Sequence, residues 1–224
     1  MPNLCKLAIL GGALLLASGC GGWPWWEKRE PIDPALYAQS GAYRVEQTRA
    51  TADLLKKASL EEQTNLCAKL AQQMQNESDP LVRLEIVKAA TLSSCPQAVA
   101  ILYGGLKDPY QDVRIASCKA YGKRNAADAA HVLGEVLASD LSIDVRLAAA
   151  KALGDVKDPS AVISLGVALD DTNPALRYRI TESLKTSSGK DFGDNVPQWQ
   201  QYARSLSPGA PPAPIAEHPY PLNR

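Results

Sequence analysis

Histidine is scarce in this sequence: among 224 residues there are two, His131 and His218. The five cysteines form no CxxC pair, and zinc sites are typically built from such pairs or from closely spaced histidines. We therefore expect no metal site. The sequence also lacks a Gly-rich phosphate loop, a GxSxG nucleophile motif and paired carboxylates beside a histidine. We therefore expect neither an enzyme nor a bound cofactor.

An excess of charge of either sign is also lacking. The chain has 24 Lys and Arg against 24 Asp and Glu, so its formal net charge is zero. Proteins that bind nucleic acids through the phosphate backbone need a clustered positive surface that displaces counterions. We therefore expect no nucleic-acid partner, and no motif indicates a small-molecule substrate.

A hydrophobic stretch lies near the N-terminus, where Lys6 precedes an apolar run over residues 7–16. The run is too short for a membrane-spanning helix but has the length of an export-signal core. The sequence LASGC at 16–20 resembles the bacterial lipobox, although the lipobox prefers Leu where this chain has Ala17. The resemblance implies a lipoprotein signal peptide over residues 1–19 and acyl chains, including palmitate, on Cys20. In the alternative, the signal is an ordinary secretory one and Cys20 is incidental.

A lipidated Cys20 predicts a location in the cell envelope, with the protein anchored to a membrane by its lipid and facing the periplasm. Gly21 follows the cysteine where an aspartate would signal inner-membrane retention, which favours the outer membrane. Residues 20–33 are expected to form the anchor and a linker, which contains WPWW at 23–26. Indole rings favour membrane interfaces, but these rings can equally pack on the first helices of the domain.

The C-terminal segment is rich in proline, with six prolines between residues 207 and 224. Proline has no backbone N–H and is excluded from helix interiors. The composition predicts an extended, disordered tail over residues 207–224. A ligand for a partner that binds polyproline is the alternative interpretation of this segment.

The centre of the sequence contains a repeat. The stretch DVRLAAAKALGDVKDP at 144–159 has imperfect copies in DVRIASCKAYG at 112–122 and DPLVRLEIVKAA at 79–90. The shared arginines are spaced by 31, 32 and 31 residues, and an acidic residue stands six positions before each of them. The arginines are Arg83, Arg114, Arg146 and Arg177, and the acidic residues are Glu77, Asp108, Asp140 and Asp171. A fixed period near thirty residues is typical of stacked structural repeats.

Each repeat is expected to be a helical hairpin, because its apolar residues follow helical spacing twice. Gly122 and Gly154 are expected to end first helices. Since one hairpin cannot bury its apolar side alone, successive hairpins must stack, with alanines and glycines allowing close approach. The predicted fold class is all-α, an α–α superhelix of about four hairpins with capping helices.

The predicted boundaries follow from the repeat. Hairpins occupy residues 79–187, and helices over residues 34–78 cap the first of them. Residues 188–206 close the other end, where Phe192 and Trp199 cover the last unit. Open ends of a solenoid expose core residues, so both caps are needed for solubility.

The pattern DxxxxDVRxxAAxALGxxxDPxAVxxLxxAL resembles HEAT repeats of the short bacterial type, also called phycobilisome-lyase-like repeats, over residues 60–187. The resemblance implies a HEAT-like solenoid in which aspartates and arginines form a hydrogen-bonded ladder between neighbouring units. It assigns to this ladder the residues Asp108, Arg114, Asp140, Arg146, Asp171 and Arg177. In the alternative, the arginines form a row that binds phosphate.

Three cysteines remain beyond Cys5 and Cys20. Cys118 stands where other repeats have Ala or Val and is expected to be a small core residue. Cys67 and Cys95 can pair as a disulfide if neighbouring helices bring them together, but the sequence does not fix that geometry.

A partner surface is expected on the second helices of the hairpins, which usually line the concave face of such solenoids. Its candidate residues are Tyr103, His131, Glu135 and Ser164. Because His131 and Glu135 are four residues apart on a helix, they are neighbours. We interpret these two residues as an exposed surface pair; an acid–base pair is the less favoured alternative.

The function predicted from these features is a non-catalytic, membrane-anchored scaffold that binds an unidentified protein in the bacterial cell envelope. A lyase or lyase accessory is the alternative suggested by the phycobilisome-lyase-like repeats, and this analogy rests on the fold alone. A mechanical spacer within the envelope is the other alternative.

Overall fold

The described part of the chain is helical. The computed structural model describes residues 33–124 and 127–206, and within these ranges the regular structure consists of helices alone. A short 3-10 turn, Ala168–Asp170, follows the ninth α-helix. In chain order the described α-helices are α1 (Pro34–Gln39), α2 (Gly41–Leu55), α3 (Leu60–Asn76), α4 (Pro80–Ala90), α5 (Pro96–Gly105), α6 (Gln111–Arg124), α7 (Ala129–Ser139), α8 (Ile143–Asp155), α9 (Pro159–Val167), α10 (Pro174–Ser188) and α11 (Val196–Ser205). This arrangement confirms the all-α prediction.

Several helices begin at a side chain that satisfies the first free backbone N–H groups. Ser59 opens α3 with a capping box, in which its Oγ accepts from the N–H of Glu62 at 3.4 Å. The Glu62 carboxylate in turn accepts from the N–H of Ser59 at 2.8 Å. Asp79 and Asp158 cap α4 and α9, and each is followed by a proline at the first helical position. Local capping residues and prolines therefore determine where these helices begin.

The helices form two layers. The first helices of the hairpins, α2, α4, α6, α8 and α10, pack on one another in that order. In the second layer α3 packs on α5, while α7 packs on α9 and α9 on α11. The predicted N-terminal cap, residues 34–78, contains α1 and the hairpin α2–α3, and this hairpin continues both layers as a further unit of the stack.

Glycines permit the close approach within each layer. As expected, Gly122 and Gly154 lie in the last turns of first helices, since α6 ends two residues after Gly122 and α8 one residue after Gly154. A Cβ on Gly122 would lie 2.8 Å from the Cβ and the carbonyl oxygen of Ala152 on α8. A Cβ on Gly154 would lie 3.1 Å from Ser183 on α10. Both glycines therefore allow close packing on the next first helix in addition to lying near the ends of their own helices.

The C-terminal end of the stack is closed by α11. Trp199 is fully buried, its Nε1 donates to the carbonyl oxygen of Gly193 at 3.0 Å, and its ring lies edge-on to Phe192 at a centroid distance of 4.7 Å. The buried core extends from Leu55 to Ala203 without a break between units. None of the helices in the two described ranges is both long and apolar enough to cross a membrane.

Candidate functional site

A ladder of ion pairs runs along the turns that join one hairpin to the next. On α4, Arg83 donates from Nε and Nη2 to the two carboxylate oxygens of Asp108, at 2.6 and 2.9 Å. Its Nη1 donates to the carbonyl oxygens of Glu77 and Ser78, both at 3.0 Å. The side chains of Arg83 and Asp108 are 8% and 3% exposed, so this pair is shielded from water. One guanidinium therefore joins the turn before its own helix to the turn of the next hairpin.

The same arrangement recurs one unit later. Arg114 on α6 donates from Nε and Nη2 to Asp140 at 2.7 and 3.0 Å, and from Nη1 to the carbonyl oxygens of Asp108 and Pro109. Arg146 on α8 makes a different set of contacts. Its Nη2 pairs with Asp171, while its Nε donates to the carbonyl oxygen of Leu137 at 2.8 Å.

Each ladder aspartate also shapes its own turn. The carboxylates of Asp108, Asp140 and Asp171 each accept from the backbone N–H two residues further on, at 2.8 Å. Burial opposes the ionisation of Asp140, but the Arg114 guanidinium and the N–H of Ser142 outweigh it, so the pKa of Asp140 lies below its ordinary value. For Asp171, the N–H of Asn173 and the Arg146 guanidinium lower the pKa. These carboxylates act as charged structural groups.

The ladder differs from the predicted one at its two ends. Arg44 on α2 donates from Nε and Nη2 to Glu77 at 2.8 and 3.1 Å, which adds a rung that the repeat spacing did not reveal. At the other end, Nη1 of Arg177 donates to the carbonyl oxygens of Asp171 and Thr172. No carboxylate lies within ion-pair distance of Arg177 among the residues the structure describes.

A cleft of about 330 Å³ opens in the second-helix layer between α3 and α5, beside the ladder. Its walls combine apolar side chains with the charged groups of the Arg83–Asp108 rung. The residues that line it are Ala71, Met74, Gln75, Glu77, Arg83, Ala100, Ile101, Gly104, Lys107, Asp108 and Pro109. Lys107 lies on the surface, and its Nζ sits 4.6 Å from the ring centroid of Tyr103. The predicted residue Tyr103 therefore lies next to this cleft.

A second cleft, of about 370 Å³, lies in the same layer between α9 and α11. Val167 at its edge is 76% exposed, and Asp170, Gln200 and Arg204 supply polar groups. Gln200 donates to Asp170 at 2.8 Å. Both clefts have the mixed apolar and polar lining that suits side chains of a protein partner.

The other predicted surface residues separate into two environments. His131 and Glu135 on α7 are both exposed, and the Nε2 of His131 lies 3.5 Å from Oε1 of Glu135. Ser164 lies on α9 and is half-buried where α9 faces α7, with its Oγ 3.5 Å from the carbonyl oxygen of Ala130. Ser164 also occupies the space that a side chain on Gly134 would need. Ser164 is therefore a packing residue, and His131 and Glu135 are surface residues.

The remaining predictions concern the two ends of the chain, metal binding and the cysteines. The signal peptide, Cys20, the tryptophan-containing linker up to residue 32, and the tail over residues 207–224 lie outside the described residues. Within the described residues, no group of three or more His, Cys, Asp or Glu side chains is arranged to hold a metal ion. Cys67, Cys95 and Cys118 are free thiols and buried.

Comparison with known proteins agrees with this geometry. A family model for HEAT repeats matches residues 67–141 and residues 130–195, which together make up more than half of the chain. The chain belongs to the HEAT-repeat family. No curated protein matches its sequence.

Among solved structures, this HEAT-repeat chain is similar to human deoxyhypusine hydroxylase in complex with glycerol. The TM-score is 0.51 and the sequence identity 23%, over 55% of this chain and 44% of that enzyme. The matched part thus spans less than half of the enzyme's length. Similarity at this level supports the shared fold, a helical repeat scaffold, and carries no activity with it.

Proposed function

We propose that this HEAT-repeat protein is a non-catalytic scaffold that binds another protein in the bacterial cell envelope, to which a lipid on Cys20 anchors it. The observation that carries the proposal is the second-helix layer, which holds two clefts and, between them, the exposed His131 and Glu135. This partner surface is mounted on a frame stiffened by shielded ion pairs. A preorganised frame supports binding because little conformational entropy is lost when a partner docks.

The buried carboxylates of the ladder are engaged in structure. Asp108 and Asp140 are each held by an arginine and a backbone N–H, which fixes their positions. A general acid or base needs a pKa near the working pH and access to a substrate. These carboxylates are bound to arginines instead of being available for proton transfer, which supports a binding role over a lyase role.

The partner surface is tested with charge-reversal variants. The chain carrying Lys107→Glu and Glu135→Lys keeps its net charge and changes only exposed positions of the second-helix layer. The matched control carries Lys119→Glu and Asp155→Lys at exposed positions of the first-helix layer. We expect affinity capture from solubilised envelopes to yield a stoichiometric protein with the wild type and the control, and to lose it with the first variant. Loss in both variants, or turnover of a small molecule without any protein partner, would contradict the proposal.

The anchor is tested separately. We expect Cys20→Ser to abolish labelling by a radioactive or clickable fatty acid and to move the protein from the membrane fraction to the soluble fraction. The same substitution at Cys118, which is buried, should change neither property. Unchanged partitioning of the Cys20→Ser chain would rule out the lipid anchor while leaving the scaffold role open.

A further inference from the structure

Two buried thiols meet where α3 faces the start of α5. Cys67 lies within α3 and Cys95 immediately precedes α5, and their exposures are 0% and 1%. The Sγ of Cys95 lies 4.0 Å from the carbonyl oxygen of Gln63, one helical turn before Cys67. The helices α3 and α5 pack on each other, and besides burial the neighbouring Cys95 thiol raises the pKa of Cys67. Each is therefore positioned as the nearest reaction partner of the other.

The loop that carries Cys95 is tied to α3 by hydrogen bonds. The Oγ of Ser93 donates to Oε1 of Gln63 at 2.9 Å and accepts from the N–H of Cys95 at 3.2 Å. This pair of bonds holds the backbone at residues 93–95 against the turn of α3 that precedes Cys67. The native fold thus holds Cys95 beside the turn of α3 that leads to Cys67. A disulfide would bring the two sulfurs to a bonded separation of about 2.0 Å.

A cation stands beside the thiol pair. Arg124, at the end of α6, donates from Nη2 to the carbonyl oxygens of Ala90 and Ser93, and its charge interacts with both sulfurs. Its Nε is buried and has no hydrogen-bond partner among the described residues. A guanidinium next to a thiol stabilises the thiolate, which is the form that attacks disulfides. Burial raises the pKa of Cys67 to about 11, and the charge of Arg124 offsets part of this rise.

We infer that Cys67 and Cys95 form an intramolecular disulfide when the chain folds in the presence of a disulfide oxidant, and that this bond joins the hairpin α2–α3 to the hairpin α4–α5. The thiolate of one cysteine attacks the oxidant, such as glutathione disulfide, which forms a mixed disulfide with one half of the oxidant and releases the other half as a thiol. The thiolate of the other cysteine then displaces the second oxidant thiol. Two protons and two electrons leave the protein, and the oxidant is reduced to two thiols. This inference stands independently of the proposed scaffold function.

Cys118 serves as an internal control. It is fully buried in α6, and desolvation raises its pKa to about 12. The groups that interact with its thiol are Asp140 and Arg114, not another sulfur. Cys118 is therefore expected to stay reduced under conditions that oxidise the Cys67–Cys95 pair.

Peptide mapping of the full chain tests the inference directly. The chain is refolded with a glutathione and glutathione disulfide mixture, alkylated in denaturant without reduction, and digested with trypsin. We expect most of the peptide 58–69 to be linked to the peptide 89–107 with a mass two hydrogens below their sum, and the peptide 115–119 to carry an alkylated Cys118. Recovery of Cys67 and Cys95 as separately alkylated peptides would overturn the inference. Because the mapping uses the unsubstituted chain, it does not depend on whether any variant folds.

Thermal unfolding provides the second readout. Closing the loop between the two cysteines should raise the melting temperature of the oxidised chain by about 5–10 °C over the chain refolded in dithiothreitol. The difference should disappear in Cys67→Ala and in Cys95→Ala and persist in Cys118→Ala. Arg124→Gln should slow the formation of the linked peptide several-fold without preventing it. A redox-dependent shift that persists in Cys67→Ala would assign the effect to another thiol and refute the pair.

Discussion

Arg114 on α6 donates two parallel hydrogen bonds to the carboxylate of Asp140, at 2.7 Å from Nε and 3.0 Å from Nη2. Asp140 lies in the turn between α7 and α8. The remaining arm of the guanidinium holds the turn in front of α6. Because the planar fork matches the carboxylate, the contact fixes both the distance and the rotation between neighbouring hairpins. Relative placement of the units is thus set by residues at the edge of the stack as well as by the apolar core.

Removal of this arginine should lower stability. We expect Arg114→Ala to reduce the free energy of unfolding by about 2 kcal/mol, because it leaves Asp140 and two turn carbonyls without their donor. Denaturant unfolding followed by circular dichroism measures the change. Lys151→Ala, which removes an exposed cation from the neighbouring helix α8, is the matched control and should be close to neutral. Equal effects of the two substitutions would mean that the ladder contributes nothing specific.

The ladder also predicts how stability depends on pH. Since the folded-state pKa of Asp140 lies below its unfolded value, its contribution is fully present above the unfolded pKa of about 4 and is lost as the pH falls through the folded pKa. We therefore expect Asp140→Asn to be less stable than the wild type at pH 7 by about 2 kcal/mol. The difference should shrink toward pH 2. Unfolding free energies of both chains across this range provide the measurement, and a constant difference would show that the Asp140 charge is not involved.

Packing between α9 and α11 depends on the absence of one side chain. A Cβ on Gly166 would lie 2.4 Å from the Cβ of Ala203. We expect Gly166→Ala to destabilise the protein by about 1–2 kcal/mol, even though alanine favours helix formation over glycine by about 1 kcal/mol. Adding Ala203→Gly should restore part of the loss by removing the clashing methyl group. An increase in melting temperature on Gly166→Ala alone would show that α11 is not seated against α9.

The cap residue Trp199 should be among the most sensitive positions. Its side chain is fully buried, and its Nε1 is satisfied by the carbonyl oxygen of Gly193. We expect Trp199→Ala to cost about 3–5 kcal/mol and to expose the last hairpin, with increased binding of a hydrophobic dye. Tyr178→Ala is the control, because Tyr178 is 64% exposed. Retention of wild-type stability in Trp199→Ala would refute a capping role for residues 188–206.

Much of the fold was accessible from the sequence, because the helical hairpin is a local structure and its period repeats. The spacing of the arginines at 83, 114, 146 and 177 locates the units, and apolar residues at helical spacing locate their helices. The hairpin α2–α3 was harder to recognise as a unit. Arg44 stands 39 residues before Arg83, and its acid is a glutamate, so the rung has neither the period nor the residue type of the others.

Pairing within the ladder could not be deduced from spacing alone. For Arg83, Arg114 and Arg177, the acid six residues earlier accepts from that arginine through its backbone carbonyl, whereas the carboxylate of the same acid binds the arginine of the preceding hairpin. Arg146 is the exception, because its Nε donates to the carbonyl oxygen of Leu137. Likewise, sequence periodicity placed Ser164 on a second helix but not toward α7, since that orientation depends on how closely α7 and α9 approach. Contacts between distant residues depend on how successive hairpins are placed relative to one another, and the sequence of a single repeat does not specify that placement.

Similar junctions between hairpins give the chain a simple route to a different length. The segment from Asp108 to Ser139 holds one acceptor carboxylate for the hairpin before it and one guanidinium, Arg114, for the hairpin after it. A tandem duplication of these 32 residues would join the two copies through an Arg114–Asp108 junction of the same form as the Arg114–Asp140 one. Gene duplication can therefore lengthen the solenoid one hairpin at a time without inventing a new interface.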